Sequence, residues 1–298
     1  MSTNLTHRPK GLQAADFNGD GRLDVATANP DDKTVSVLLG KGDGGFQAVT
    51  NHGTGDAAAD LAVADLNGDG KPDIVAAVST PHVLAVLLND GSGGFPASAT
   101  SFDVRLAPAG LYLGDFNGDG KLDAVVAGTG GFTSCASVCL GFVAGKGDGT
   151  FTTPVPDANY ASGGIEDRVV RQFSESGPLD LDGDGKLDVA FTSGQSFLGD
   201  NWVMVGFGQG DGTFKMQTLV ASPGPRVSGF WADGTPISTL VAGDFNGDSL
   251  VDLALGARSE GSPPRPGGAR SSSPARRASS GPLGASPAAV PTAATAAT

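Results

Sequence analysis

Five nine-residue stretches of the sequence carry oxygen-bearing side chains at one fixed spacing: DFNGDGRLD, DLNGDGKPD, DFNGDGKLD, DLDGDGKLD and DFNGDSLVD. Position 1 of each is Asp16, Asp65, Asp115, Asp180 and Asp244. Position 3 is Asn18, Asn67, Asn117, Asp182 and Asn246, and position 5 is Asp20, Asp69, Asp119, Asp184 and Asp248. Position 9 is Asp24, Asp73, Asp123, Asp188 and Asp252. Position 7, occupied by Arg22, Lys71, Lys121, Lys186 and Leu250, has only a backbone carbonyl to offer the same point. Alternating oxygens around one centre suit a hard cation, and Ca²⁺ takes about six to eight oxygen ligands at roughly 2.3–2.6 Å. The expected cofactor is therefore calcium, up to five ions. A glycine at position 6 lets the chain turn sharply, and four loops have it, at Gly21, Gly70, Gly120 and Gly185. Ser249 stands there in the fifth, which predicts the weakest site.

Two plainer readings compete. Asn-Gly and Asp-Gly mark hairpin turns without any metal, but a turn needs one such dipeptide, not an aspartate fixed before it and another after it. A helix-flanked calcium hand opens with the same D-x-[DN]-x-D-G pattern, yet it needs a bidentate carboxylate at position 12. Position 12 here is Thr27, Ala76, Val126, Phe191 and Leu255. Charge fits the metal reading. The loops hold sixteen of the 32 acidic residues, and five divalent ions would bring the formal charge from -13 to -3. Without metal, the crowded carboxylates repel one another.

The elements that must hold these loops are short strands. VATAN, IVAAV, AVVAG, VAFTS and LALG follow the loops, and GLQAADFN, DLAVADLN and GLYLGDFN lead into the first three. A second signature follows each of the first four loops: an apolar run, a Gly-rich turn and a phenylalanine, as in LLGKGDGGF ending at Phe46, and likewise at Phe95, Phe151 and Phe214. It reads as a strand, a tight turn and a strand starting at Phe. The first aspartates lie 49, 50, 65 and 64 residues apart, so each period has room for four short antiparallel strands, one blade of a β-propeller.

With these loops and turns, the sequence resembles the FG-GAP/VCBS repeat family, calcium-loop propellers related to the head of integrin α-chains. The resemblance covers about residues 10–256. It implies an all-β propeller of four-stranded antiparallel blades at about 10–55, 56–106, 107–160 and 170–225, with a partial fifth at 236–256, after a lead of residues 1–9. The fifth has an entering strand, a loop and an exit strand, but no Gly-rich turn. Family propellers usually have more blades, so either a short or open ring, or a truncated or frameshifted fragment without independent function, is expected. Residues 257–298, mostly Ser, Pro, Gly, Ala, Arg and Thr, are predicted to be a disordered tail.

Composition narrows the function classes. Of 298 residues 47 are glycine, which argues against helical bundles. A net charge of -13 opposes nucleic-acid and anionic-membrane partners, and no run of eighteen apolar residues could insert in a bilayer. No signal peptide is readable at the N-terminus. Cys135 and Cys139 allow either one local disulfide or two free thiols. His7, His52 and His82 are scattered, with no nucleophile motif beside them.

Longer connections in blades three and four, at about 128–138, 157–177, 194–201 and 222–235, carry Tyr160, Trp202 and Trp231 together with Glu166, Asp167, Arg168, Arg171 and Glu175. Such rings could stack on a sugar or grip a peptide; they could equally pack between blades. The resemblance implies a non-enzymatic, extracellular or cell-surface calcium scaffold for adhesion or for recognition of a protein or glycan. The alternative it leaves is a calcium-dependent polysaccharide lyase using Arg168 or Arg171, by analogy of fold alone.

Overall fold

The computed structural model describes residues 9–129, 137–152, 160–166, 168–173, 177–195, 201–221, 237–245, 247, 251–257 and 294–296. Among them the regular structure is entirely β. The first sheet is β1 (Lys10–Ala15), β2 (Asp24–Asn29), β3 (Thr34–Leu38) and β4 (Thr50–Gly53), in that spatial order. The second repeats it with β5 (Ala58–Ala64), β6 (Asp73–Val78), β7 (Val83–Leu87) and β8 (Thr100–Asp103). The third has β9 (Ala107–Gly114), β10 (Asp123–Thr129), β11 (Ser137–Val143) and β12 (Tyr160–Glu166). The fourth has β13 (Arg168–Phe173), β14 (Val189–Gln195), β15 (Asn201–Gly208) and β16 (Phe214–Ala221). All four are antiparallel throughout. A fifth sheet holds β17 (Ile237–Gly243) and β18 (Asp252–Ala257), antiparallel to each other. The first strands follow one another in space, β1 beside β5, β5 beside β9, β9 beside β13 and β13 beside β17, giving a propeller-like series of blades.

The exit strands are buried almost throughout, and their continuous apolar runs follow from burial on both faces. Alternate residues point to opposite neighbours. Ala26 and Ala28 of β2 share a core with Ile74, Ala76 and Val78 of β6, while Val75 and Ala77 of the same β6 turn the other way, toward Ala124 and Val126 of β10. Val125 and Ala127 in turn meet Val189 and Phe191 of β14, and Ala190 meets Leu240 of β17. Each first strand carries a register shift near its start, between Lys10 and Leu12 in β1, Ala58 and Asp60 in β5, and Val170 and Gln172 in β13, with the same shift in β9 and β17. A bulge of this kind bends and twists the strand it interrupts.

Two expectations are corrected. The fourth strand was expected to start at the turn phenylalanine, and it does so only at Phe214 in β16. In the first and third sheets Phe46 and Phe151 make isolated bridges to Gly40 and Gly145, and in the first and second sheets β4 and β8 begin only at Thr50 and Thr100. In the second and third sheets the ring packs toward the preceding blade, Phe95 on Phe17 and Phe151 in a core with Leu66, and the ladder resumes only after it. The tail was expected to carry no structure, but Ala294–Ala296 forms β19, which pairs with β18 in parallel, unlike all the other ladders.

Candidate metal centres

Each loop bridges its sheet's first and second strands, and its shape comes from its own carboxylates accepting backbone N–H groups. In the first loop Asp20 and Gly21 donate to Asp16 at 3.1 and 2.7 Å, Asp20 donates to Asn18 Oδ1 at 3.1 Å, and Arg22 donates to Asp20 Oδ1 at 2.9 Å. The second, third and fourth loops repeat this set around Asp65, Asn67 and Asp69, Asp115, Asn117 and Asp119, and Asp180, Asp182 and Asp184. The glycine expected at position 6 is left-handed in all four, with φ of 81°, 81°, 80° and 84°. A methyl group at Gly21, Gly70, Gly120 or Gly185 would meet nothing within 4 Å, so backbone conformation alone selects the residue.

Position 9 has a second role that ligand spacing does not reveal. Asp24, Asp73, Asp123 and Asp188 are completely or almost completely buried, and each accepts two backbone N–H groups. One comes from position 2 of its own loop, from Phe17, Leu66, Phe116 and Leu181, at 2.8–3.1 Å. The other comes from the end of the third strand or just past it, from Gly40, Asn89, Gly145 and Gly208, at 2.6–2.9 Å. Three of these four are glycine because a Cβ would come within 2.3 Å of a carbonyl, that of Leu23, Leu122 or Leu187. In the second blade Asn89 takes the place, and its side-chain amide donates to Pro72 and, across to the first blade, to Phe17.

Position 7 also does more than offer a carbonyl. The side chains of Arg22, Lys71, Lys121 and Lys186 lie 3.5, 3.3, 3.8 and 3.0 Å from the position 5 carboxylates of Asp20, Asp69, Asp119 and Asp184. These pairs are exposed, so they contribute little stability, but they place a cation of the chain where a metal's charge would act. The Lys186 hydrogen bond holds Asp184 below the usual carboxylate range.

In the fourth loop, where position 3 is an aspartate, Asp180, Asp182 and Asp188 each present an oxygen, and the three oxygens lie within 4.8 Å of one another. Among the described residues this is the one such triad of acidic or soft ligands, and it could hold a metal ion. Burial pushes the Asp188 carboxyl up to about 6, against the N–H groups of Leu181 and Gly208, and Asp182 and Asp180 push it the same way. Asp123 is pushed up to about 6 by burial likewise, and Asp73 is raised. Carboxylates accept through several lone pairs, so the donor set fits a hard, oxygen-seeking cation that would neutralise this crowding.

In the fifth loop Asp244 and Asp252 are described, and they accept from Gly247 at 2.6 Å and Phe245 at 3.1 Å, the bonds made by positions 1 and 9 elsewhere. Asn246, Asp248, Ser249 and Leu250 lie outside the described residues. Of the aromatic candidates, Tyr160 opens β12 and pairs with Gly141, Trp202 lies in β15 between Ser193 and Ala221, and Trp231 lies outside the described residues. Arg168 and Arg171 lie on β13. Cys139 is buried in β11 and disulfide-bonded, and the only other cysteine of the sequence is Cys135. Cys139 is thus not a free thiol, and Cys135 lies outside the described residues.

A search of curated proteins finds no match to the chain. Among solved structures, one of those similar to it is a protein from Bifidobacterium bifidum s17 proposed to be an exo-beta-1,3-galactanase, 15% identical over 70% of each chain with a TM-score of 0.37. The family model for the FG-GAP-like repeat matches residues 16–76, 65–126 and 180–255, each match opening on the first aspartate of a loop and ending within the exit strand of the next. These matches cover more than half of the sequence, and the loop geometry recurs in each of them: the chain belongs to the FG-GAP-like repeat family.

Proposed function

We propose that the protein is a non-enzymatic calcium-binding repeat scaffold that presents the longer connections of its third and fourth blades to an extracellular protein or glycan. The observation that carries the calcium part is the Asp180, Asp182, Asp188 triad. It is the fully acidic version of a loop whose backbone geometry is repeated three more times with Asn at position 3. All-oxygen donors and a sharply turned glycine favour Ca²⁺ over softer transition metals. A disulfide at Cys139 suits an oxidising compartment, where millimolar calcium is also found. We assign the ligand surface to Tyr160 and Trp202, which stand at the starts of β12 and β15 beside the longer connections, and to Trp231, because connections on a rigid sheet scaffold carry recognition.

Thermal melting of the purified chain in millimolar Ca²⁺ and in chelator tests this, since a metal that binds only the folded state raises the melting temperature. A clear rise with Ca²⁺, reduced in Asp182→Asn, is expected. Equal melting in calcium and chelator would overturn the calcium reading. Glycan-array binding that survives Trp202→Ala and Trp231→Ala would remove the ligand surface, and turnover of an acidic polysaccharide would make the protein an enzyme.

A further inference from the structure

The first three junctions between blades repeat one contact. The turn phenylalanine of a blade packs on the position 2 side chain of the loop before it: Phe95 meets Phe17 edge-on at 5.6 Å, Phe214 meets Phe116 at 5.7 Å, and Phe151 shares a core with Leu66. The glycine two residues before that phenylalanine sits against the preceding blade. A Cβ on Gly93, Gly149 or Gly212 would press on Leu39, Leu88 or Phe142. Its N–H closes the junction as well, with Gly149 donating to Leu66 O and Gly212 to Phe116 O, both at 3.2 Å.

The two ends of the series each hold one half of this contact. At the leading end, Phe46 is 37% exposed, against 4% for Phe151, and a Cβ on Gly44 would meet nothing within 4 Å. Leu12 is 64% exposed where its counterparts Leu61 and Leu111 are 1% and 3% exposed. Leu23 is 70% exposed where its counterpart Leu187 packs toward Gly114 of the preceding blade. The middle of that face is already closed by a polar cluster in which Asn29 donates to Thr34 and Ser36, and Ser36 donates to Asn51. The apolar rim is what stays open. At the trailing end, Phe245 holds position 2 and is 59% exposed, where Phe17, Leu66 and Phe116 are 5% exposed or less.

We infer that Phe46 of one copy of the chain docks on Phe245 of a second copy, joining molecules head to tail through the contact that joins blades within the chain. The partner follows from complementarity: one end offers a turn phenylalanine without a loop residue, the other a loop phenylalanine without a turn. Unlike halves make a heterologous contact, so a dimer keeps one free end of each kind and assembly continues. The inference does not depend on the ligand proposed above.

Sedimentation velocity of the full chain over a concentration range reads this directly. Species growing beyond dimer with concentration are expected. Phe46→Ser and Phe245→Ser replace exposed rings, so each should melt like the parent and sediment as a monomer. An equimolar mixture of the two variants should form dimers and stop there, because only one productive junction can form. A parent that stays monomeric at every concentration overturns the inference. So does a loss of association in one variant but not the other, which would indicate a symmetric contact, and so does a mixture that stays monomeric.

Discussion

Asp123 and Asp182 share one residue type and divide its work. Asp123 is buried with both oxygens committed to the N–H groups of Phe116 and Gly145. Asparagine can accept only one of them and turns an N–H toward the other, leaving a buried donor unpaired at about 1–3 kcal/mol. Asp123→Asn should therefore lower stability even in chelator, read as a shift in the urea midpoint. Asp182 is exposed, and its bond from Asp184 is one that Asn18 makes in the first loop. Asp182→Asn removes one of the repelling charges, so it should not lower stability in chelator, and it should weaken Ca²⁺ binding roughly tenfold in titration calorimetry. The sequence did not separate these roles, because a metal ligand and a double acceptor call for the same side chain. Nor did it show the base at position 7 pairing with position 5, since a carbonyl ligand leaves its own side chain unassigned.

A further acid, outside the loops, is Asp60 on β5. It accepts from Leu61 at 2.9 Å and, across the junction to β9, from Leu111 at 3.1 Å. Burial pushes it up to about 6, despite those two donors. Its folded value lies above the unfolded one of 3.8, so between these values the folded chain binds the proton more readily, and stability falls as pH rises from about 4 to 6. In Asp60→Asn that fall should be smaller in melting curves taken across this range. In chelator Asp123 and Asp188 add to the fall, and Ca²⁺ should remove their share, because a bound metal requires the deprotonated form.

Among the elements, the loops and exit strands were legible because a rigid spacing and a doubly buried run each leave a periodic trace. The all-β, antiparallel four-stranded sheets follow from them. The bulges in the first strands left no trace, since the inserted residues, Gly11 in β1 and Arg171 in β13 among them, share no side-chain chemistry. The start of the fourth strand was misplaced because Phe46 and Phe151 read as strand residues, whereas each makes only an isolated bridge and the ladder begins later, at Thr50 and Tyr160. Glycine also hides two requirements under one letter. Gly145 faces the Leu122 carbonyl so closely that a Cβ would lie 1.9 Å away. Gly145→Ala should displace two strands and cost about 3 kcal/mol or more, enough to abolish cooperative melting in a marginal chain. Gly21 has open space and only its φ of 81° to defend, so Gly21→Ala should cost about 1–2 kcal/mol and keep a cooperative transition.

At the scale of the whole molecule, the order of blades was readable, but how they engage was not, because the contact that joins them pairs residues a full period apart, as with Phe17 and Phe95. That contact has a kinetic signature. Gly44, Gly149 and Gly212 are the same tip of the same turn, and local sequence gives their amide protons similar access to solvent. Gly149 and Gly212 are tied to carbonyls of the preceding blade, so their protons should exchange with deuterium only when whole blades part. In the unassociated chain, as in Phe245→Ser, the proton of Gly44 should exchange within the dead time of the experiment. Three chemically matched glycines would thus report, one amide at a time, where the series of blades begins.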